Sequence, residues 1–446
     1  MRRSKLVINC QPGISPILKQ EVEDLGYKTL SVDNTSVTIE GGWEEVMNLN
    51  YNLRTASRVL WMIRQFEAKD PDELYKEAKK TPWNKLIPEN GHISIHSFVK
   101  NDYIRDTSFA NLKLKDAIVD QISENEGKRP DSGKEKDKTV IFMFWHESKC
   151  IVYFDTSGET IAKHGYRKMP FKAPMIESLA SACLRSANWH KADKDAVFVN
   201  PMCGSGTLAI EAALMMKKDA PGMLRDNYGF MHITDYDASK WHAIKNQNRS
   251  PRQIEVQNEK VPEEPREEQK QGLNLGSGKI KYRRVTDPQV EIDETPKEEV
   301  SKPMGEEVIS NDGGSKRIIA SDISSLAIKA AIYNAKMAGV EDMIHFEVKP
   351  FEETTIPEGD GMVMLNPEYG ERLGEQEALK VTYQEIGDFF KQKCKGKMGY
   401  IFTGNADLAK KIGLKTKSKT PFFNARIECR LLAYELYGGT RREESK

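Results

Sequence analysis

The sequence has no pair of cysteines at C-x-x-C spacing and no histidine-cysteine cluster: its six cysteines, Cys10, Cys150, Cys183, Cys203, Cys394 and Cys429, are scattered through 446 residues. That distribution suits a reducing compartment and argues against a disulfide framework or a zinc site, so no metal is expected. No apolar run approaches the ~20 residues of a membrane helix. The apolar stretch at residues 6–10, behind Arg2 and Arg3, is too short for a secretion signal. A soluble, cytoplasmic protein with no membrane partner is the expectation. Surplus charge is missing too, with 67 Lys plus Arg against 67 Asp plus Glu, so a nucleic-acid-binding surface would have to be a local patch. Finally, no G-K-[ST] follows the glycine-rich turn described next, which excludes a phosphate loop and nucleotide hydrolysis.

What is present centres on residues 196–216. A short apolar, β-branched run ends in Asn200-Pro201-Met202-Cys203-Gly204-Ser205-Gly206-Thr207 and passes into a segment that is apolar on nearly every side. This reads as a buried strand, a glycine turn and a buried helix. Two glycines permit positive φ and close approach of a ligand to the backbone, and the helix start offers free N–H groups. A nucleotide-like ligand fits there; a packing turn is the plainer alternative.

Two further segments follow the same plan. Residues 317–322 form a strand ending in Asp322, followed by a helix over residues 324–337 that Gly339 stops. An acid at that strand end is placed to accept hydrogen bonds from ribose hydroxyls, or to cap the helix. Residues 361–365 form another buried strand that leads into Asn366-Pro367-Glu368-Tyr369-Gly370-Glu371-Arg372-Leu373-Gly374. Asn-Pro-x-aromatic at a strand end presents an amide oxygen, an uncommitted carbonyl and a flat ring together, parts that suit an exocyclic amine on a planar base.

These segments, with Ala220-Pro221-Gly222 between the first two, resemble the THUMP-containing family of guanine-N2 RNA methyltransferases, in particular its bacterial 23S rRNA branch. The resemblance runs from about residue 158 onward apart from one long insertion. It implies an α/β fold: a Rossmann-like class I methyltransferase domain, with a seven-stranded sheet and an antiparallel edge pair, preceded by α+β ferredoxin-like and THUMP modules. It implies S-adenosylmethionine as cofactor, held by Asn200, Met202, Cys203, Gly204, Ser205, Gly206, Thr207, Asp322 and Ile323. It places Asn366, Pro367 and Tyr369 around a flipped guanine. The chain departs from the family in having Asn200 for an acid, Pro350 where an acid would hold the adenine amine, with Glu352 or Glu353 as substitutes, and Glu368 for a second proline.

The expected domains are a ferredoxin-like module at 1–49, a THUMP RNA-binding domain at 50–160, a linker at 161–174 and the methyltransferase domain at 175–446. Residues 250–315 change composition sharply, with Tyr282 their only aromatic, and read as a disordered insertion. A helical pattern from Trp43 runs on toward Trp61, and residues 128–138 read as a charged loop tip. In the THUMP-like part, Lys100, Arg105, Lys113 and Lys115 are candidates for phosphate contacts, or they form a solvated charged face. Arg372 is a further RNA-binding candidate, and Arg167 either contacts RNA or fixes the linker. The expected partner is RNA, with 23S rRNA first and tRNA second. Two rival readings are an amino-methyltransferase acting on adenine or a protein glutamine, and an RNA-binding assembly factor with weakened catalysis.

Overall fold

The computed structural model describes residues 3–89, 91–172, 174–247, 316–370 and 376–437. The readings of the 250–315 insertion and of Arg372 fall outside them.

Eight strands of the N-terminal part share one sheet: β1 (Ser4–Asn9), β2 (Thr29–Asp33), β3 (Ser36–Gly41), β4 (Arg58–Glu67), β5 (His92–Lys100), β6 (Asp131–Gly133), β7 (Thr139–His146) and β8 (Lys149–Asp155). Their spatial order is β2-β3-β1-β4-β8-β7-β5-β6. Helices α1 (Ser15–Asp24), α2 (Trp43–Asn52), α3 (Pro71–Lys79) and α4 (Thr107–Glu126) accompany them. Period-two alternation decides the buried face. Ile141, Met143 and Trp145 of β7 and Cys150, Val152 and Phe154 of β8 join one core with Ala110, Leu114 and Ile118 of α4.

Two sequence expectations fail here. The helix from Trp43 ends at Asn52, and Leu53 is already extended (φ −76°, ψ 121°). The backbone N–H groups of Arg54 and Thr55 then donate to the buried carboxylate of Glu21, at 3.0 and 3.1 Å, rather than to carbonyls one turn back. The chain enters β4, which pairs antiparallel with β1 on one side and β8 on the other and so fuses the two N-terminal modules into one sheet. The supposed loop tip at 128–138 contains β6, parallel to β5 from His92↔Asp131 to Ser94↔Gly133.

The second sheet holds β9 (Val197–Pro201), β10 (Ile318–Asp322), β11 (Ile344–Val348), β12 (Gly361–Leu365), β13 (Met398–Thr403), β14 (Ser418–Asn424) and β15 (Ile427–Glu435). The order is β11-β10-β9-β12-β13-β15-β14; the first five strands are parallel, and β15 is antiparallel to both neighbours. Its helices are α5 (Glu177–Ser186), α6 (Thr207–Lys217), α7 (Ala238–Gln247), α8 (Ser325–Ala338), α9 (Gln376–Lys393) and α10 (Ala406–Lys411). Alternate residues face opposite helix layers. Phe198, Ala320, Met364 and Phe402 pack with Leu179 of α5, Ala209 of α6 and Ala331 of α8. Val199, Ile319, Val363 and Ile401 pack with Tyr383, Ile386 and Phe390 of α9. The strand order reverses between β9 and β12. In a doubly wound sheet, that crevice at the strands' carboxyl ends is where ligands bind.

Buried polar groups connect the sheets. His164, in the linker, lies 2.7 Å through Nδ1 from Glu211 Oε1 of α6 and 3.1 Å through Nε2 from the Arg54 carbonyl. With the Glu211 carboxylate and a carbonyl as its two neighbours, the ring is placed to donate from both nitrogens, as an imidazolium does. Ser181 donates to the other Glu211 oxygen at 2.8 Å, and the Arg54 guanidinium lies 3.6 Å away. Burial would push His164 down, but the Glu211 charge raises its pKa. Burial would push Glu211 up, but His164 and Arg54 hold it below the ordinary carboxylate value. The helix that starts at the glycine turn is thereby tied to the N-terminal sheet.

Candidate active site

At the end of β9 the side chain of Asn200 is 1% exposed. Its Nδ2 donates to the Met364 carbonyl of β12 at 2.8 Å, across the point where the strand order reverses. Its Oδ1 is buried and has no partner among the described residues. The chain then turns through Met202 (φ 56°), Gly204 (φ 55°) and Gly206 (φ 83°) into α6. The two glycines serve different ends. A Cβ on Gly206 would sit 2.9 Å from Ala331 Cβ of α8, so this glycine lets two helices close together. A Cβ on Gly204 would meet nothing within 4 Å, so this one leaves free space over the turn.

Cys203 N–H donates to the Ser321 carbonyl of β10 at 2.9 Å. Asp322, the next residue of β10, accepts from Gly204 N–H through Oδ2 (3.0 Å) and from Ser324 N–H through Oδ1 (2.9 Å). The helix cap is Ser324, whose side chain accepts from Ala327 N–H. Asp322 instead ties the glycine turn to the start of α8 and keeps acceptor capacity on each oxygen. Ile323 beside it is 76% exposed and Val348, at the end of β11, is 52% exposed, an apolar border for a flat group. Of the acids offered in place of Pro350, Glu352 is half-buried and Glu353 exposed.

Asn366 follows β12. Its Oδ1 is buried without a partner among the described residues. A buried acceptor left open costs ~1–3 kcal/mol, so its survival at a crevice points to a donor that arrives with a ligand. Tyr369 is pinned from three sides. Asn424 Nδ2, on the edge strand β14, donates to its hydroxyl at 2.9 Å. Phe402 meets its ring edge-on at 6.5 Å. A Cβ on Gly404 would come within 3.0 Å of the ring. Burial pushes its phenol up to about 12, so it stays neutral. The antiparallel edge pair therefore orients an aromatic platform at the end of β12.

The junction segment contributes residues that sequence reasoning missed. Asn334 of α8 is fully buried. Its Oδ1 accepts from Lys168 N–H and Met169 N–H, both at 3.0 Å, and its Nδ2 donates to the Met169 carbonyl (2.9 Å) and the Ser205 carbonyl (3.2 Å). One amide thus joins the linker to the glycine turn. The signal was an asparagine at a core position of the helical stripe Ala327, Ala331, Asn334, Ala338. Arg167 is internal: it donates to Thr207 Oγ1 (3.0 Å) and to the Met175 carbonyl, and lies 3.5 Å from Glu177. Those contacts are the ones a linker-fixing role needs. Lys113 pairs with Asp72 at 3.0 Å, and Lys115 lies 3.9 Å from Asp116. Lys100 and Arg105 are exposed at the end of β5 and in the loop after it.

Among the described residues, no group of three or more His, Cys, Asp or Glu side chains could hold a metal ion. No helix among them is long and apolar enough to cross a membrane.

Comparison with known proteins adds three family matches: an RMKL-like methyltransferase domain over residues 164–433, an RlmL ferredoxin-like domain over 5–60 and a THUMP domain over 68–155. The ribosomal RNA large subunit methyltransferase K/L of Syntrophotalea carbinolica is 29% identical over 437 residues, covering 97% of this chain and 53% of that protein. The chain spans about half the length of such K/L relatives. A putative RNA methyltransferase of Synechocystis is 28% identical and matches 95% of both chains. A solved structure of a possible methylase from Clostridium difficile superposes with a TM-score of 0.76 at 26% identity, covering 99% of this chain and all of the other.

Proposed function

The chain belongs to the RMKL-like methyltransferase family, and from that premise we propose that it methylates the exocyclic N2 amine of a guanine in RNA, large-subunit ribosomal RNA first among the candidates and tRNA second. The observation that carries the reading is the pair of buried, unpartnered amide oxygens, Asn200 Oδ1 and Asn366 Oδ1, at the carboxyl ends of the two strands that flank the switch point.

S-adenosylmethionine, when bound, supplies a methyl group made electrophilic by its sulfonium sulfur. The residues present fit it: Asn200 Oδ1 offers an acceptor to an ammonium group, Gly204 leaves room over the turn, and Asp322 retains lone pairs for ribose hydroxyls. Ile323 and Val348 border the base end.

On the other strand, Asn366 Oδ1 and the Pro367 carbonyl accept the two hydrogens of the target amine. That nitrogen's lone pair is delocalised into the purine ring, and two in-place acceptors favour the sp3 geometry in which the lone pair points at the methyl carbon. The amine gains a methyl and loses one proton to solvent. Tyr369 stacks on the base; such a contact is worth ~1–3 kcal/mol and offsets much of the cost of extruding it. Positioning of the two reacting atoms supplies the remainder of the acceleration.

The test is to incubate the protein with methyl-labelled S-adenosylmethionine and, separately, undermodified large-subunit rRNA and tRNA, then to digest each RNA to nucleosides. N2-methylguanosine is expected, in the rRNA. Labelled methyladenosine would shift the reaction to the adenine amine, and absence of label despite measured cofactor binding would remove the enzymatic reading.

A further inference from the structure

Glu368 stands two residues past Asn366, where the resemblance leads one to expect a second proline. Its Oε1 lies 3.4 Å from Lys172 Nζ, and the two side chains are 74% and 73% exposed. An ion pair this open adds little to stability, so its place matters more than its strength. Lys172 ends the segment that Asn334 and Arg167 clamp over the glycine turn three to five residues earlier. Its backbone is left-handed (φ 38°), a conformation a lysine adopts only when its surroundings require it. The linker thus runs from the proposed cofactor turn to the target-base loop and delivers an ammonium group beside Glu368.

We propose that Lys172 and Glu368 read the Watson–Crick edge of the target base and select guanine over adenine. The inference rests on the reading of this site as an exocyclic-amine methyltransferase. Guanine presents, in order, the O6 acceptor, the N1–H donor and the N2 amine; adenine presents the N6 amine, the N1 acceptor and a C–H. The protein offers the Lys172 ammonium beside the Glu368 carboxylate, with the Pro367 and Asn366 oxygens one and two residues before Glu368 in the chain. Donor meets O6, acceptor meets N1–H, and the N2 amine falls to the pair of oxygens next along the chain. Against adenine the first two contacts clash, ammonium against amine and carboxylate against the N1 lone pair. At 3.4 Å neither group is saturated by the other, since an ammonium has three donors and a carboxylate about four acceptor sites.

The experiment rebuilds the RNA that accepts label in the nucleoside assay, with either guanosine or 2-aminopurine at the labelled position. 2-Aminopurine keeps the amine that receives the methyl but lacks O6 and N1–H. The wild-type enzyme is expected to prefer guanosine in kcat/KM by roughly 5- to 150-fold, the discrimination of one good bidentate contact. Glu368→Ala and, independently, Lys172→Met are expected to collapse that ratio toward one. An unchanged ratio in both variants overturns the proposal, whatever happens to the absolute rates. A wild-type enzyme that deposits no methyl on guanosine N2 overturns the underlying reading first and this inference with it.

Discussion

Replacing Asn366 by alanine separates catalysis from folding with opposite signs. In the folded chain Asn366 Oδ1 is buried with no partner among the described residues, so truncation breaks no hydrogen bond through that atom. It removes an acceptor whose desolvation is uncompensated, a state that costs ~1–3 kcal/mol. The variant is therefore expected to unfold at no lower temperature than wild type, with a gain of up to about 1 kcal/mol after the lost packing is counted. Catalysis moves the other way. As the amine nitrogen takes on positive charge, its hydrogen bond to Oδ1 becomes charge-assisted and worth ~1.5–3 kcal/mol. At 1.36 kcal/mol per factor of ten, losing it slows the chemical step roughly 10- to 150-fold. The assay is a single-turnover measurement with saturating cofactor, beside thermal unfolding without ligand and calorimetric binding of the cofactor product. Asn366→Asp keeps an acceptor and is expected to recover much of the loss. A single-turnover rate for Asn366→Ala within about threefold of wild type, well inside the bond's worth, would refute the assignment. So would a loss that lies wholly in cofactor affinity.

Asp322→Ala releases Gly204 N–H and Ser324 N–H and removes the acceptor proposed for the ribose. Affinity for the cofactor product is expected to fall at least roughly tenfold, and unchanged calorimetric binding would exclude Asp322 from the cofactor site. Gly206→Ala places a Cβ 2.9 Å from Ala331 at φ 83° and should destabilise by ~1–3 kcal/mol. Gly204→Ala shares the positive φ (55°) but has open space around it, so it should carry the smaller thermal loss and weaken cofactor binding; equal thermal losses in both would contradict the distinction. The His164–Glu211 pair predicts a pH window. His164 is raised from an ordinary 6.5, so its contribution is complete below that value and lost as pH rises through the raised one. Glu211 is lowered from an ordinary 4.5, so its contribution is complete above that value and lost as pH falls through the lowered one. The stability advantage of wild type over Glu211→Gln should peak between these ordinary values and shrink toward alkaline pH. A pH-independent difference would show that the pair is not ionised.

The sequence by itself determined the chemistry-bearing loops and the sheet that carries them. Buried parallel strands read as continuous apolar runs, and Asn200, Asp322 and Asn366 interrupt them with polar groups at their carboxyl ends, so the apolar pattern and the residues proposed for the site meet at those points. The antiparallel edge pair was expected from the family resemblance, and the hairpin that forms it closes at Asn424 and Ala425. Only the tertiary structure decided what depends on residues far apart in the chain. Glu21 draws off the backbone donors of Arg54 and Thr55 and turns an expected helix into β4. Asn424 on the last hairpin holds the Tyr369 hydroxyl, and Asn334, a buried amide in a helix of alanines, holds the linker to the glycine turn. Arg167, ambiguous in the sequence, faces inward because Thr207 and Glu177 surround it. Hydrogen-bond partners separated by tens to hundreds of residues leave no periodicity in the sequence. What the chain does record is the need for them, as polar side chains at positions where burial demands a partner.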